Sequence, residues 1–311
     1  MQPTIGLDIS KDRIDAFAAD PGVHRAFDNS LAGRRALLAW IGSLGRPLAV
    51  FEPTGAYHRD LERDLGRADL AFVKVNPRHA RRFAQAQGQL AKTDRADAAS
   101  LARMGAALDL VPDRPEPESL KELRELLTAR RALVADRVAT RTRARTVRLA
   151  VVRSLTARRL VQIKAQIATL DREIARRIAA DPVLARRRQV LESISGIARI
   201  TATAMLIDMP ELGQIDGAEA ASLAGLAPVA RQSGRWRGQA RIAGGRAPLR
   251  RALYMPALTA SRRNPDLARF AKRLKARAKP GKVILTAVMR KLLLLANALL
   301  KADRLWTPIA A

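Results

Sequence analysis

Apolar and polar positions change their rhythm along this chain, and the changes divide it. "TIGLDIS" is a short apolar run with one Asp in it. "RIDAFAAD" and "VHRAFDN" follow as strands, with a turn at Pro21-Gly22. Ser30 is placed to cap a helix running to about Gly42, and "PLAVFEPTG" reads as a buried strand ending at Glu52, stopped by Pro53 and Gly55. A helix over roughly Ala56 to Gly66 leads to a fifth strand, "DLAFVKV". Asn76-Pro77 opens another helix, and Thr93 caps the one that carries Asp94 and Asp97. Three strands, helix, strand, helix, strand and then helices predict an α/β domain with a mixed sheet over residues 1–110.

"VPDRPEPES", residues 111–119, has three prolines in nine residues and reads as a linker. From Ser119 to about Ala180 there is no Gly or Pro, and Leu120, Leu123, Leu127 and Leu133 recur at helical spacing. Two long helices are expected here, forming a coiled-coil hairpin within a connector that spans residues 111–185. Asp181-Pro182 then opens a helical region that fills residues 186–311. In it, "LESISGIARITATAMLIDMP" reads as helix, turn, helix. A Gly- and Arg-rich basic loop follows, and then helices from about Ala247, from Pro265 and from Lys282 onward. The fold class is therefore α/β followed by all-α.

Composition sharpens this. Apolar residues make up 48% of the 311 and aromatics 4%, so the cores must be built from Ala, Leu, Val and Ile. The formal charge is +28, costly for a compact fold unless a polyanion offsets it, and nucleic acid is the usual partner. Residues 1–110 hold 16 Lys and Arg against 13 Asp and Glu, whereas the remainder hold 41 against 16. Arg dominates that remainder and suits bidentate phosphate contacts. There is no cysteine, which excludes disulfides and thiolate zinc sites, and His24, His58 and His79 show no ligand spacing. No signal peptide is visible at the N-terminus. The late apolar stretch "VILTAVMRKLLLLANALL" is broken by Arg290 and Lys291. A cytoplasmic protein without a membrane span is expected.

The acidic residues carry the first candidate chemistry. Asp8 lies inside an apolar strand, where a carboxylate is costly unless it is paired or binds a cation. Glu52 ends the strand expected beside it. Asp94 and Asp97 share one helix face, and that helix can pack across the strand ends. Singly, each has a bland reading: strand-end acids are usually turn or edge residues, and Lys92 and Arg95 can neutralise the helical pair. Together they point to a divalent cation. Oxygen-only donors favour Mg2+ or Mn2+, and such ions serve phosphodiester chemistry.

A second candidate is "RQSGRWRG". Ser233 sits in a window holding Arg231, Arg235, Arg237, Arg241, Arg246, Arg250 and Arg251, with no acidic residue. Those guanidiniums suit a scissile phosphate. No His lies near to serve as base, so by its surroundings alone Ser233 reads as a loop serine or a phosphate donor. Trp236 either stacks on a base or anchors the loop. "SISGIARITATAML" fits a helix-hairpin-helix that offers backbone amides to a phosphate, or an ordinary packing unit capped by Ser193 and Ser195. The long helices bear Arg on more than one face, which suits a nucleic-acid-binding arm, a subunit seam, or both.

"GLDISKDRIDAF", "FEPTGAYH" and "KTDRADA" resemble the three signature segments of the DEDD transposases. These form the IS-one-hundred-and-ten family of bacterial insertion sequences, with the related Piv-type DNA invertases. The resemblance implies an N-terminal domain like the junction resolvase RuvC, with an RNase H-like fold. It makes Asp8, Glu52, Asp94 and Asp97 the catalytic, metal-holding D, E, D and D, and Lys11 also fits its pattern. "GLAPVARQSGRWRGQARIAGGRAPLRRALY" and "ASRRNP" resemble the family's C-terminal transposase domain, with Ser233 as nucleophile. A covalent phosphoserine is implied, with the metal site assisting from another subunit. So are donor and target duplex DNA as substrates, an element-encoded structured guide RNA, a homodimer that assembles to a homotetramer, and a place on the nucleoid. Three rival readings remain: a metal-only junction endonuclease in which Ser233 is dispensable, a nucleic-acid-packaging protein that is not an enzyme, and a site-specific invertase.

Overall fold

The structure, a computed structural model, describes residues 3–53, 55–88, 94–230 and 232–308. It divides into two compact units, residues 1–116 and 117–311. Thr93, Lys92 and Arg231 lie outside the described residues.

The first unit opens with strands β1 (Thr4–Ile9), β2 (Arg13–Ala18) and β3 (Val23–Asp28) and helix α1 (Leu31–Ser43). Then come β4 (Leu48–Phe51), α2 (Arg59–Arg67), β5 (Phe72–Lys74), α3 (Pro77–Ala86) and α4 (Asp94–Ala107). The sheet order is β3-β2-β1-β4-β5. β2 runs antiparallel to both neighbours, while β1, β4 and β5 are parallel. Strand alternation sorts the side chains between two layers. Ile5, Leu7, Ile14 and Phe51 face α1 and α2, meeting Leu37, Ile41, Leu61 and Leu65. Leu48, Val50 and Val73 face α3 and α4, meeting Ala80, Leu101 and Met104.

Ser30 caps α1 by accepting from the Gly33 amide, and Asn76 caps α3 with Pro77 at its first turn, both as expected from the sequence. Two boundaries differ. β4 stops at Phe51, so Glu52 lies just past the ladder, where it lines a cleft, followed by Pro53, which has no N–H to extend the pairing. Helix α2 begins at Arg59 rather than Ala56, because Gly55 takes a left-handed φ of 56° and residues 55–58 form a turn.

In the second unit, α5 (Glu118–Ala144) and α6 (Ala150–Ala180) form an antiparallel hairpin. Leu120, Leu123 and Leu127 meet Ile174 and Ile178 along its seam, where Ile207 also packs. Arg130 and Arg177 of one or other helix pair with Asp171 and Glu122 across it. Helices α7 (Pro182–Ser193), α8 (Arg199–Asp208) and α9 (Gly217–Leu223) follow. The Gly- and Arg-rich stretch, expected as a loop, carries short strands: β6 (Pro228–Val229), β7 (Gln232–Ser233), β8 (Trp236–Arg237) and β9 (Arg241–Ile242). β6 pairs with β9 and β7 with β8, both antiparallel.

Four helices complete the unit: α10 (Ala247–Ala252), α11 (Tyr254–Arg263), α12 (Pro265–Ala276) and α13 (Gly281–Lys301). By length and composition α13 could cross a membrane. Its Val288, Leu292, Leu293 and Ala296 are instead fully buried, in a helix packed against α7, α9, α11 and α12 at the centre of the helical core.

Candidate active site

Three segments bring the four acids together. Asp8 is the penultimate residue of β1, half-buried and facing α4. Leu7 and Phe51 are the last registered pair of the parallel β1/β4 ladder, so Asp8 and Glu52 leave adjacent strands side by side at their C-terminal ends. Ligand sites of open sheets with parallel strands form at such ends. α4 supplies Asp94 and Asp97 from its first turn. What fixes α4 is Gly6: a Cβ there would lie 1.9 Å from the Ala98 carbonyl oxygen and 2.5 Å from the Ala102 amide. Thr4 Oγ1 adds a 2.9 Å hydrogen bond to the Ala102 carbonyl. The helix therefore lies directly on β1, and its N-terminal acids face the strand ends.

Asp8, Glu52, Asp94 and Asp97 together line a cleft of about 550 Å³, with Arg81 and Ser100 among its other walls. Burial first, and then the negative fields of Asp94, Asp97, Glu52 and Asp15, together push the Asp8 carboxyl up from 3.8 to about 6. The charges of the other three acids of the cleft thus reach Asp8. Among the described residues, no three carboxylates already close around one point at metal-binding distance.

Asp15 is a fifth acid, and the sequence reading passed over it. It is 3% exposed and stands directly across from Asp8 in the β1/β2 ladder. Arg13 holds it with two hydrogen bonds, of 2.8 and 2.9 Å, and His24 Nε2 lies 3.0 Å from its Oδ1. The signal was present in "RIDAFA", where an acid interrupts apolar residues much as Asp8 does. Nearby, Asn29 Nδ2 donates to the carbonyls of Ser10 and Tyr57, tying the turn after β1 to the loop after Glu52. Lys11 is exposed in the first of these turns.

In the second unit Ser233 is exposed at the end of β7. It is registered opposite Trp236, which leaves Gly234-Arg235 as a two-residue turn. Gly234 has φ 53°, the left-handed value that the first central position of such a hairpin demands. Arg235, Arg241 and Arg251 are exposed. Arg246 forms a two-pronged pair with Glu211 and bonds the Asp208 carbonyl, while Arg250 donates to the carbonyls of Ala224, Gly225 and Gly244. Both therefore organise the segment from within. For Trp236 and Arg237 only the backbone of β8 is described.

The turn before α8 serves packing: a Cβ on Gly196 would meet the Ala260 Cβ at 2.8 Å, and Ser193 Oγ accepts from the Trp306 amide. Ala198, which precedes α8, makes no side-chain cap.

Comparison with known proteins decides the family. A transposase model for DEDD proteins matches residues 5–150, and the model described as Transposase IS116/IS110/IS902 family matches residues 188–272. The chain is also 31% identical over 310 residues to the pilin gene-inverting protein of Moraxella bovis, with 96% of both chains covered. The pilin gene-inverting protein of Moraxella lacunata matches at the same identity and coverage. The chain belongs to the IS110 family of DEDD transposases. It is accordingly a DNA transposase/recombinase enzyme. The IS110-family match over 5–150 takes in all four acids of the cleft, and the match over 188–272 takes in Ser233. Divalent metal ions are general in the DEDD family, and the acidic cleft offers the oxygen donors such ions prefer.

Proposed function

We propose that this IS110-family recombinase cuts and rejoins DNA strands through Ser233, with Asp8, Glu52, Asp94 and Asp97 holding Mg2+ or Mn2+. The observation that carries the metal reading is the convergence of four acids from β1, the end of β4 and α4 on one cleft, where Asp8 is driven to about 6. Like charges gathered at strand ends raise the energy of the fold unless a cation offsets them. When bound, the ion polarises a phosphate oxygen and neutralises the charge that develops on it.

Ser233 Oγ gives up its proton as it attacks phosphorus, the bond to one deoxyribose oxygen breaks, and that oxygen takes up a proton and leaves as a hydroxyl. Rejoining reverses this: a sugar hydroxyl attacks the phosphoserine and serine leaves. Arg235, Arg241 and Arg251 hold the strand, and Arg231, Trp236, Arg237 and Lys11 are assigned to it as well. Arg246 and Arg250 act by fixing the segment's shape.

Several observations support the wider reading. Strand order β3-β2-β1-β4-β5 with a reversed β2 fits an RNase H-like, RuvC-like domain at residues 1–110. Ile163, Ile167, Ile174 and Ile178 recur at the spacing of a coiled-coil seam within the 111–185 connector. Such a hairpin suits a homodimer that pairs into a tetramer on donor and target duplexes. The charge of +28 exceeds what one duplex contact needs and suits a structured guide RNA and a place on the nucleoid. Residues 186–311 are then the serine-bearing transposase domain.

One observation favours a second outcome of the same chemistry: the relatives at 31% identity are named for inverting a pilin gene. A plasmid bearing two inverted sites distinguishes inversion from insertion by its products.

The test of mechanism uses purified protein, Mg2+, the element's flanking RNA and labelled DNA carrying the element junction. Products are separated on a denaturing gel beside Ser233→Ala and Asp97→Ala. A covalent protein–DNA band in wild type, absent from both variants, is expected. Cleavage that persists in Ser233→Ala without that band would leave a metal-only nuclease.

A further inference from the structure

We infer that Arg13, clamped by the buried Asp15, is a phosphate-binding residue that seats the DNA strand beside the carboxylate cleft, with Asp15 as its positioning residue. The inference rests on the DNA-cleaving role proposed for that cleft.

Four observations lead to it. Arg13 begins β2 on the same sheet face as Asp8, and its side chain is 57% exposed. Its Nε and Nη2 are both taken by Asp15, so the guanidinium plane is fixed. Among the described residues Nη1 makes no hydrogen bond and the side chain is more than half exposed, which leaves those donors available to a ligand. Arg13 stands two residues along β2 from Asp15, which pairs with Asp8 across the ladder, and so lies beside the acid cluster on that sheet face.

The buried acid needs a reason. Asp15 is 3% exposed in a strand whose neighbours Ile14 and Ala16 are fully buried, and an apolar residue there would stabilise the sheet at least as well. Its placement also works against Asp8, since its charge opposes ionisation of the residue directly across the ladder. What Asp15 provides is a rigid, two-point hold on an exposed cation, and His24 Nε2 lies 3.0 Å from Oδ1, one of the two oxygens that hold Arg13. Preorganised guanidiniums recognise phosphate oxygens strongly because little freedom is lost on binding. A polyanion approaching four carboxylates is repelled unless a cation meets it at the rim, and Arg13 is built for that position. Its ligand is a non-scissile phosphate of the DNA backbone.

The experiment substitutes single phosphates near the cleavage site by neutral methylphosphonates, in a labelled duplex carrying the element junction. Full-length wild type, Arg13→Gln, Arg13→Lys and Asp15→Asn are compared, with exposed Arg35→Gln as control. Binding is measured in EDTA over a range of KCl, and covalent adduct formation is measured with Mg2+.

In EDTA, Arg13→Gln should bind roughly tenfold more weakly and lower the slope of log affinity against log salt by about one. One methylphosphonate position should weaken wild type similarly and add nothing to Arg13→Gln. Arg13→Lys should keep the salt slope and recover part of the affinity. Asp15→Asn should raise the DNA concentration needed for half-maximal adduct without lowering the rate at saturation. Additive losses at every phosphate, or a salt slope unchanged in Arg13→Gln, would overturn the inference. If Arg13→Gln does not fold, the Arg13→Lys and Asp15→Asn arms decide it. Absence of any adduct in wild type would count against the proposed serine chemistry instead, because binding in EDTA is independent of it.

Discussion

Asp8 is destabilising as a carboxylate and useful as one. Its pKa stands at about 6 in the fold against 3.8 ordinarily, so the folded chain holds that proton more tightly than the unfolded chain does. The stability tied to Asp8 is fully present below about pH 3.8 and is lost as pH rises through about 6. Asp8→Asn is therefore predicted to melt about 2–4 °C above wild type at pH 7.5 in EDTA, with the gap closing towards pH 4, while forming no covalent adduct. A thermal melt across pH checks the first part and a denaturing gel the second. Divalent metal should raise the wild-type melting temperature, and raise that of Asp8→Asn less at the same concentration. An acid inside an apolar strand was enough to single out Asp8 from sequence. The same signal marks Asp15, yet alternation alone cannot tell a carboxylate that faces a cleft from one that faces an arginine. That distinction needed the register of β1 against β2, which no local pattern contains.

At the scale of elements, the acidic site depends on how closely α4 can lie on β1. Gly6→Ala would drive a methyl into the backbone of Ala98 and Ala102, atoms that cannot move aside without shifting the helix. We predict a loss of about 3 kcal/mol, at the upper end for overpacking, together with loss of adduct formation, measured by denaturant unfolding and gel. In the other unit, Ile178 is fully buried in the hairpin seam, and Ile178→Ala should cost about 2–4 kcal/mol in the same unfolding measurement. Strands and helices with regular spacing were legible beforehand, down to the caps at Ser30 and Asn76. The strand pairs between Pro228 and Ile242 were not. Each strand is two residues long, too short for alternation to register, and the pairing of β6 with β9 depends on contact across the intervening turn.

Across the whole molecule, charge and chemistry are divided. The acids line a cleft in a nearly neutral unit, whereas Ser233 stands exposed in the strongly basic one. Residues 117–311 alone should bind duplex DNA with a steep inverse dependence on salt, and residues 1–116 alone should bind it weakly, as anisotropy titrations over KCl would show. The charge imbalance was plain from the sequence. That Arg246 and Arg250 turn inward to Glu211 and to main-chain carbonyls was not, because composition counts guanidiniums without showing where they point.

The proposed chemistry requires the four acids to act as one metal site. The direct measurement is a titration of Mn2+ into the full-length protein at pH 7.5, followed by electron paramagnetic resonance of the free ion. Wild type and Ser233→Ala should bind alike, while Asp8→Asn and Asp94→Asn should each weaken binding by about tenfold or more. Undiminished Mn2+ binding in both acid variants would contradict a shared site.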